Sequence, residues 1–437
     1  MAKRNEQRNG ARAKVGTPER GPAEPAKKPP KASRAKGQTD GSAKAAAAGR
    51  PSEPSREDQA AARRRQAPVP ATARPAAAPG RAQLLSVLRE DGGVVSARDP
   101  HLPPERLAYL YETMVRVREF DRRMLVLQRQ GRIGFYGPIL GQEAATVGSV
   151  AALEERDWIF PALREGAAAI MRGLPLPVAI AQLVGNQLDR CKGRQMPCHF
   201  TFKEGRYHGM SSVIGTQISH AVGAAMAARL RGDDVVVAGY MGDGATSAND
   251  FHAGMNFAAV YKAPVVLICQ NNQWAISVPI SQQMASETVA MKADAYGMPA
   301  VRVDGNDVLA VWTATKEAAE RARRGDGPTF LELVTYRRLG HSSSDDPSRY
   351  RDEGEVAAWE KRDPVERFRR HLESQRLWDT EREQDLQDRI ANEVNAAIRE
   401  AEAAGPTPPD TLVTDVFAEV SPALEEQLRD ALASREA

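Results

Sequence analysis

Residues 242–272 are GDGATSANDFHAGMNFAAVYKAPVVLICQNN, and this stretch decides the fold that we predict for the chain. An apolar run over residues 235–241 leads into it, and a second apolar run, 263–269, ends just before the two asparagines. A helix-length segment, 247–261, lies between these runs. The order predicts a strand, a tight turn, a helix and a second strand, which is a βαβ unit with parallel strands.

Polar side chains follow both predicted strands. Asp243 and Asn272 come just after the carboxyl ends, where open α/β sheets bind ligands. Gly242 and Gly244 leave the backbone open to phosphate oxygens. A carboxylate, an amide oxygen and a following main-chain carbonyl suit Mg²⁺ together with substrate phosphates. A solvated turn is the alternative for GDG alone, but the asparagine pair after 26 intervening residues favours a magnesium–diphosphate site.

Composition separates an N-terminal tail from the rest of the 437-residue chain. Residues 1–80 contain no Phe, Tyr, Trp, Ile or Leu, and hold 18 Lys and Arg against 7 Asp and Glu. Such a segment cannot bury a core, so we predict that it is disordered. A solubilising extension is favoured over an adhesive arm for RNA, an acidic partner or a large assembly. The tail has neither the apolar core of a secretory signal nor the apolar helix face of a transit peptide.

The rest of the chain is mildly acidic, with 42 Lys and Arg against 50 Asp and Glu, so its composition does not indicate nucleic-acid binding. It contains no apolar run of the roughly 18 residues that would predict a membrane span. Three cysteines fit a reducing, bacterial-type cytoplasm, with a mitochondrial matrix expected only for a eukaryotic source. Cys191, Cys198 and His199 lie close together, but their C-x6-C-H spacing matches no common zinc site.

Apolar segments near residues 157, 235, 264, 301 and 330 alternate with helical patterns. The alternation predicts a doubly wound, mostly parallel α/β sheet over residues 81–360. Residues 173–205 are predicted to be irregular, 288–296 to be a helix, and 330–336 to be a strand. Beyond them, a helical C-terminal extension over residues 361–437 is predicted from apolar residues spaced by four, namely Leu386, Ile390, Val394 and Ile398.

GDG followed by 26 residues and NN resembles the thiamin diphosphate motif, which implies a thiamin diphosphate-binding fold. From about residue 85 to residue 420, the chain is similar to alpha subunits of the decarboxylating component of 2-oxo acid dehydrogenase complexes. Several segments point to the branched-chain (2-oxoisovalerate) branch: DPHLPPERL, QRQGRIGFY, KGRQMPCH, SSVIGTQ, HAGMNFAA, VRVDGNDVLAV and SSSDDPSRYR. A pyruvate or acetoin dehydrogenase alpha subunit is the enzymatic alternative. A non-catalytic phosphate-binding or scaffold protein is the alternative from another class.

The resemblance implies a set of site residues. Mg²⁺ would be held by Asp243, Asn272 and the carbonyl of Trp274. His341 is the candidate catalytic residue. In relatives, the histidine that matches it lies near the thiazolium and helps to pass the acyl group to lipoamide. The other cofactor contacts would come from Arg164, Ser212, Ile214, Gly242, Gly244, Ala245 and Arg337. A potassium site of some relatives would correspond to Ser211, Val213, Thr216 and Gln217.

The resemblance also implies a reaction and an assembly. Thiamin diphosphate would act as the electron sink for oxidative decarboxylation of a 2-oxo acid of the 3-methyl-2-oxobutanoate type, and the acyl group would pass to a lipoyl arm. In relatives, a separate beta subunit supplies the glutamate that activates the aminopyrimidine. An α2β2 heterotetramer docked on a lipoyl-bearing acyltransferase core is therefore expected, and the chain alone is expected to be inactive.

Three positions depart from the family pattern. Leu163 stands where relatives often carry Tyr, and Gln270 replaces an Arg that touches the diphosphate, which implies rearranged phosphate contacts. Trp274 replaces a Tyr, which is tolerable if only its carbonyl binds the metal. Ser342 matches a regulatory phosphorylation position of animal relatives, where a phosphate would add negative charge beside His341.

Overall fold

A five-stranded parallel sheet lies at the centre of the computed structural model, which describes residues 83–436. The predicted tail, 1–80, lies outside the described residues. The strand order is β1-β2-β3-β7-β6, and a short antiparallel pair, β4 and β5, lies apart from the sheet. The strands are β1 (Trp158–Phe160), β2 (Val237–Gly242), β3 (Val265–Asn271), β4 (Trp274–Ala275), β5 (Val278–Pro279), β6 (Ala300–Asp304) and β7 (Thr329–Val334).

Helices fill most of the connections between strands. In chain order they are α1 (Pro104–Arg129), α2 (Glu143–Ala152), α3 (Gly166–Met171), α4 (Leu176–Val184), α5 (Thr216–Arg231), α6 (Asn249–Val260), α7 (Ile280–Gln283), α8 (Val308–Arg323), α9 (Glu353–Glu360), α10 (Pro364–Ser374), α11 (Thr380–Ala403), α12 (Thr411–Thr414) and α13 (Pro422–Glu436). Short 3₁₀ turns cover Ser96–Arg98, Asp243–Ser247, Ala290–Tyr296 and Pro347–Arg349. Among residues 83–436, no helix combines the length and apolar character that a membrane crossing needs.

The central strand β3 shows why the sheet is covered on both faces. Its residues alternate between two apolar clusters: Val266 and Ile268 join the cluster that includes α1, α2 and α8, whereas Leu267 and Cys269 join the one that includes α5 and α6. Successive side chains of a strand point to opposite faces, so an unbroken apolar run is buried on both sides. The predicted doubly wound α/β fold is confirmed.

The predicted βαβ unit is also confirmed. It consists of β2, the 3₁₀ turn Asp243–Ser247, α6 and β3. The two strands pair in parallel, with Gly242 opposite Gln270 at their carboxyl ends. This register places the turn that begins at Asp243 beside the loop that begins at Asn272.

Three local predictions were wrong or shifted. Residues 173–205 are not irregular throughout, because α4 lies within them. Its prolines occupy the residue before the helix and its first turn, where no intrahelical N–H bond is lost, and Gly185, in a left-handed conformation (φ 80°), ends it. The helix predicted over 288–296 is the 3₁₀ turn Ala290–Tyr296, and the strand predicted over 330–336 is Thr329–Val334.

The C-terminal part of the described chain is helical, as predicted. In α11, the side chains of Leu386, Ile390, Val394 and Ile398 are all buried, which gives the helix one apolar stripe. This stripe joins the same apolar cluster as α1 and α4. Helix α11 therefore shares a core with one face of the sheet.

Asp307 joins the start of the described chain to α8. One carboxylate oxygen accepts the N–H groups of Leu309 and Ala310, each at 3.1 Å, and so caps the helix. The other oxygen accepts the N–H groups of Val87 and Leu88, each at 2.6 Å. A single buried carboxylate thus satisfies four backbone donors from two segments.

We predict that Asp307→Ala lowers the free energy of unfolding by about 3 kcal/mol, because it removes a helix cap and leaves two further buried N–H groups unpaired. Urea denaturation followed by circular dichroism measures the change. Asp326→Ala, at an exposed position beyond the end of α8, is the control and should shift stability by less than about 0.5 kcal/mol. Equal effects of the two substitutions would contradict the assignment.

Candidate active site

A cavity of about 530 Å³ opens at the carboxyl ends of β2 and β3. Its wall includes Met241 and Gly242 from the end of β2, and Gln270 and Asn272 from the end of β3. A cavity of this size at this edge of a parallel sheet is typical of a ligand site. Most predicted site residues line it: Arg164, Ser211, Ser212, Val213, Ile214, Gln217, Gly242, Asp243, Gly244, Ala245, Asn272, Trp274 and His341.

Two predicted residues do not line the cavity, namely Thr216 and Arg337. Arg337 is fully buried, and its guanidinium donates to the carbonyl of Ile276 at 2.7 Å and to the hydroxyl of Tyr350 at 2.9 Å. A longer contact of 3.4 Å reaches the carbonyl of Trp274. The structure therefore places Arg337 behind the loop that follows β3, where it holds that loop in position.

The carboxylate of Asp243 is the central polar group of the cavity. The side chain is 1% exposed, and its Oδ2 atom has no hydrogen-bond partner within residues 83–436. Burial raises the pKa of this carboxyl to about 6, although backbone hydrogen bonds and the charges of Arg337 and Arg164 oppose the shift. A buried carboxylate without a partner is costly, so the site is suited to a cation that would satisfy Oδ2.

The main chain around Asp243 is held firmly. Its carbonyl accepts the Thr246 hydroxyl at 2.8 Å and the side-chain amide of Gln283 at 2.6 Å. The ammonium group of Lys292 in turn donates to the Thr246 hydroxyl at 2.6 Å. These contacts fix the 3₁₀ turn and, with it, the position from which the carboxylate extends.

The glycines of the turn have separate roles. A Cβ atom at Gly244 would lie 2.9 Å from the Cβ of Ala275, so a side chain there would push the loop after β3 away. A Cβ at Gly242 would meet no atom within 4 Å, and this residue lines the cavity. Gly242 therefore leaves room for a ligand beside the backbone, as the sequence predicted.

The loop after β3 brings Asn272 and Trp274 into the wall of the cavity. The Oδ1 atom of Asn272 accepts the N–H of Trp274 at 3.2 Å. Gln273 has a φ of 73° and Ile276 a φ of 57°, so two non-glycine residues adopt the left-handed conformation within this loop. The residues that line the cavity thus include a carboxylate, that of Asp243, and an amide oxygen, that of Asn272, and both are ligand types that Mg²⁺ accepts.

His341 also lines the cavity and is anchored through its main chain. Its N–H donates to Asp345 at 2.6 Å, and its carbonyl accepts from Arg164 at 2.8 Å. Burial and the positive charges of Arg164 and Arg337 lower the pKa of the imidazole to about 4. The ring is therefore neutral at pH 7 in the free protein.

The predicted potassium loop is partly exposed at the cavity mouth. The side chains of Val213 and Ile214 are 67% and 62% exposed, which is unusual for large apolar groups. The Ser212 hydroxyl bonds to the buried imidazole of His199 at 2.5 Å, and the amide of Gln217 donates to the Tyr240 carbonyl at 3.0 Å. The loop is thus anchored at both ends while its centre projects outward.

Sequence analysis missed several cavity residues. His199 was considered only as a zinc ligand, yet its ring anchors the loop that carries Ser212. Gln142 received no role, although it is fully buried and lines the cavity. His199 ends the segment KGRQMPCH, but nothing in that segment indicates that its ring anchors a loop. Gln142 belongs to no motif that the sequence analysis identified. The other lining residues that carried no prediction are largely apolar and include Phe135, Met196, Met210 and Ile276.

Comparison with known proteins agrees with this geometry. The family model described as the dehydrogenase E1 component matches residues 111–410. The 3-methyl-2-oxobutanoate dehydrogenase subunit alpha of Mycobacterium tuberculosis is 44% identical over 367 residues, covering 80% of this chain and 94% of that protein. The mitochondrial 2-oxoisovalerate dehydrogenase subunit alpha of Homo sapiens is 42% identical over 346 residues, covering 79% and 78%. The pyruvate dehydrogenase E1 component subunit alpha of Staphylococcus aureus is 45% identical over 324 residues, covering 73% and 85%. The chain belongs to the dehydrogenase E1 component family.

Proposed function

We propose that the chain is the alpha subunit of a branched-chain 2-oxo acid dehydrogenase that uses thiamin diphosphate and Mg²⁺. The observation that carries this proposal is the buried, unpartnered carboxylate oxygen of Asp243, which lies with Asn272 in the cavity wall at the edge of the sheet. The family membership and the relatives named for 3-methyl-2-oxobutanoate and 2-oxoisovalerate support it. Because the chain belongs to this enzyme family, we no longer favour the alternative of a non-catalytic scaffold protein.

The residues present fit the cofactor at its diphosphate end. Asp243, Asn272 and the carbonyl of Trp274 would hold Mg²⁺, because they supply one carboxylate and two neutral oxygens. The backbone at Gly242, Gly244 and Ala245 would lie along the diphosphate. When bound, thiamin diphosphate supplies an electron sink for decarboxylation of a 2-oxo acid.

The other side of the cavity would position the reacting end. Arg164 is 8% exposed and has two anchors, the carbonyls of Pro138 and His341, so it would hold a fixed positive charge beside the cofactor. Ser212 and Ile214 would contact the cofactor from the loop at the mouth. His341 would act in acyl transfer to the lipoyl arm, where a positioned imidazole can move a proton.

The exposed apolar residues at the mouth support an assembly. Val213, Ile214 and Ile276 line the cavity while each is more than half exposed. Apolar side chains that rim a polar site suit burial by a partner. The partner would be the beta subunit of an α2β2 heterotetramer, which would complete the cofactor site and dock on a lipoyl-bearing acyltransferase core.

The proposal also covers the class of 2-oxo acid that the enzyme uses and its location in the cell. The Staphylococcus aureus relative is named for pyruvate and is as similar in sequence as the branched-chain relatives, so identity alone does not separate the two substrate classes. The segments KGRQMPCH and SSSDDPSRYR favour the branched-chain class. A potassium ion at Ser211, Val213, Thr216 and Gln217, and a cytoplasmic location, belong to the same proposal.

We predict that Asp243→Ala abolishes binding of thiamin diphosphate with Mg²⁺ to the complex of this chain with its beta subunit, because the metal loses its only carboxylate ligand. Isothermal titration calorimetry measures the dissociation constant. Asp233→Ala, at an exposed position before β2, is the matched control and should bind as wild type does. Equal binding by wild type and Asp243→Ala would reject the metal site.

Replacement of His341 by Ala should reduce the rate of lipoyl acylation by about 100-fold, the lower end of the contribution expected from a positioned acid–base group. Decarboxylation measured with an artificial electron acceptor should fall much less, because that assay bypasses the lipoyl step. Rapid-quench measurement of lipoyl-domain acylation follows the first reaction. A parallel loss in both assays would contradict a specific role in acyl transfer.

With the beta subunit co-expressed, kcat/KM should be higher for 3-methyl-2-oxobutanoate than for pyruvate by at least tenfold. Initial rates with each 2-oxo acid at matched concentrations test this. A preference for pyruvate would leave the cofactor site intact and reassign the chain to the pyruvate branch.

A further inference from the structure

A line of hydrogen bonds runs from the loop after β3 to the residue that precedes α2. The backbone N–H of Trp274 donates to Oδ1 of Asn272 at 3.2 Å, and Nδ2 of Asn272 donates to Oε1 of Gln142 at 3.0 Å. The side chain of Gln142 is 0% exposed and lines the cavity. Its Nε2 atom has no hydrogen-bond partner within the described part of the chain.

The backbone N–H of Trp274 determines which atoms donate and which accept along this line of hydrogen bonds. A backbone N–H can only donate, so Asn272 must turn its oxygen toward Trp274 and its nitrogen toward Gln142. Gln142 must then turn its oxygen toward Asn272. Its nitrogen is left as a buried donor in the cavity wall.

Gln270 differs from Gln142 in this respect. Its amide bonds to the hydroxyl of Thr146 at 2.9 Å, and a hydroxyl serves as donor or acceptor. The Gln270 amide can therefore adopt either orientation, whereas the orientation of Gln142 is determined by the main chain.

Two buried groups in the cavity wall need opposite kinds of partner. Among the residues that the structure describes, none donates to Oδ2 of Asp243 and none accepts from Nε2 of Gln142. A buried polar group without a partner costs free energy that a bound ligand recovers. A metal ion that carries anionic oxygens satisfies both groups at once, because the cation meets the carboxylate and an anionic oxygen meets the amide.

We propose that Gln142 is a binding residue for the diphosphate end of the cofactor. Its Nε2 donates to a diphosphate oxygen, and its Oε1 orients Asn272 so that the amide oxygen of Asn272 faces the metal. This inference rests on the proposed function. The donor that Gln142 would supply is neutral. In this chain the neutral residue Gln270 also stands where the resemblance implies an arginine.

Two substitutions test this role in the complex with the beta subunit. Gln142→Glu keeps the shape and an oxygen for Asn272 but replaces the donor by a negative charge. Gln142→Met keeps the approximate size and removes both polar atoms. Asn186→Asp is the control, because it converts another buried amide to a carboxylate at the end of α4, where Asn186 bonds to the carbonyl of Ala401 and does not line the cavity.

Calorimetry should give dissociation constants for thiamin diphosphate with Mg²⁺ that rise about tenfold in Gln142→Met and about 100-fold in Gln142→Glu, as expected for loss of a hydrogen bond to a charged group. The inhibition constant of inorganic pyrophosphate with Mg²⁺ should rise in parallel, since it shares only the diphosphate end. Asn186→Asp should stay within twofold of wild type in both measurements.

The outcomes separate the two proposals. If wild type binds no thiamin diphosphate, the proposed function fails. If wild type binds and both Gln142 variants bind within twofold of it, the function stands and the role of Gln142 is overturned. A rise for thiamin diphosphate without a rise for inorganic pyrophosphate also overturns it, because the effect would then not arise at the diphosphate.

Discussion

The parallel pairing of β2 with β3 is the constraint on which the site depends. Its register sets Gly242 opposite Gln270, so the Asp243 turn and the Asn272 loop leave the sheet side by side. Both strands are buried, and a slip by one residue would turn each apolar side chain to the wrong face. The apolar pattern that builds the sheet therefore also sets the position of the polar groups at its edge.

The fold buries polar groups of the site, and this burial costs free energy. Within residues 83–436, Oδ2 of Asp243 and Nε2 of Gln142 are buried without a hydrogen-bond partner. Burial and two arginines lower the pKa of His341 to about 4. The unpaired Oδ2 and Nε2 atoms each cost free energy in the chain without a ligand. Their arrangement is explained by a ligand that is itself charged, with a cation for the carboxylate and anionic oxygens for the amide.

The sequence predicted those parts that rest on local pattern. Alternating apolar segments predicted the doubly wound sheet, which is confirmed. The spacing of GDG and NN predicted a magnesium–diphosphate site, and this stays a prediction. Gln142 was beyond this kind of reasoning, because its partner Asn272 lies 130 positions away and no periodicity links them. The helix α4 was missed, although its prolines stand at its start, where they allow a helix. Arg337, expected at the cofactor from family resemblance, is turned by its contacts toward the Ile276 carbonyl and the Tyr350 hydroxyl instead.

The most direct test of the account is the position of the metal. We propose anomalous X-ray diffraction from crystals of the complex with its beta subunit, grown with thiamin diphosphate and Mn²⁺ in place of Mg²⁺. We expect one anomalous peak within coordination distance of Oδ2 of Asp243, Oδ1 of Asn272 and the carbonyl of Trp274. A bound cofactor whose metal lies elsewhere, with Oδ2 of Asp243 still without a partner, would contradict it.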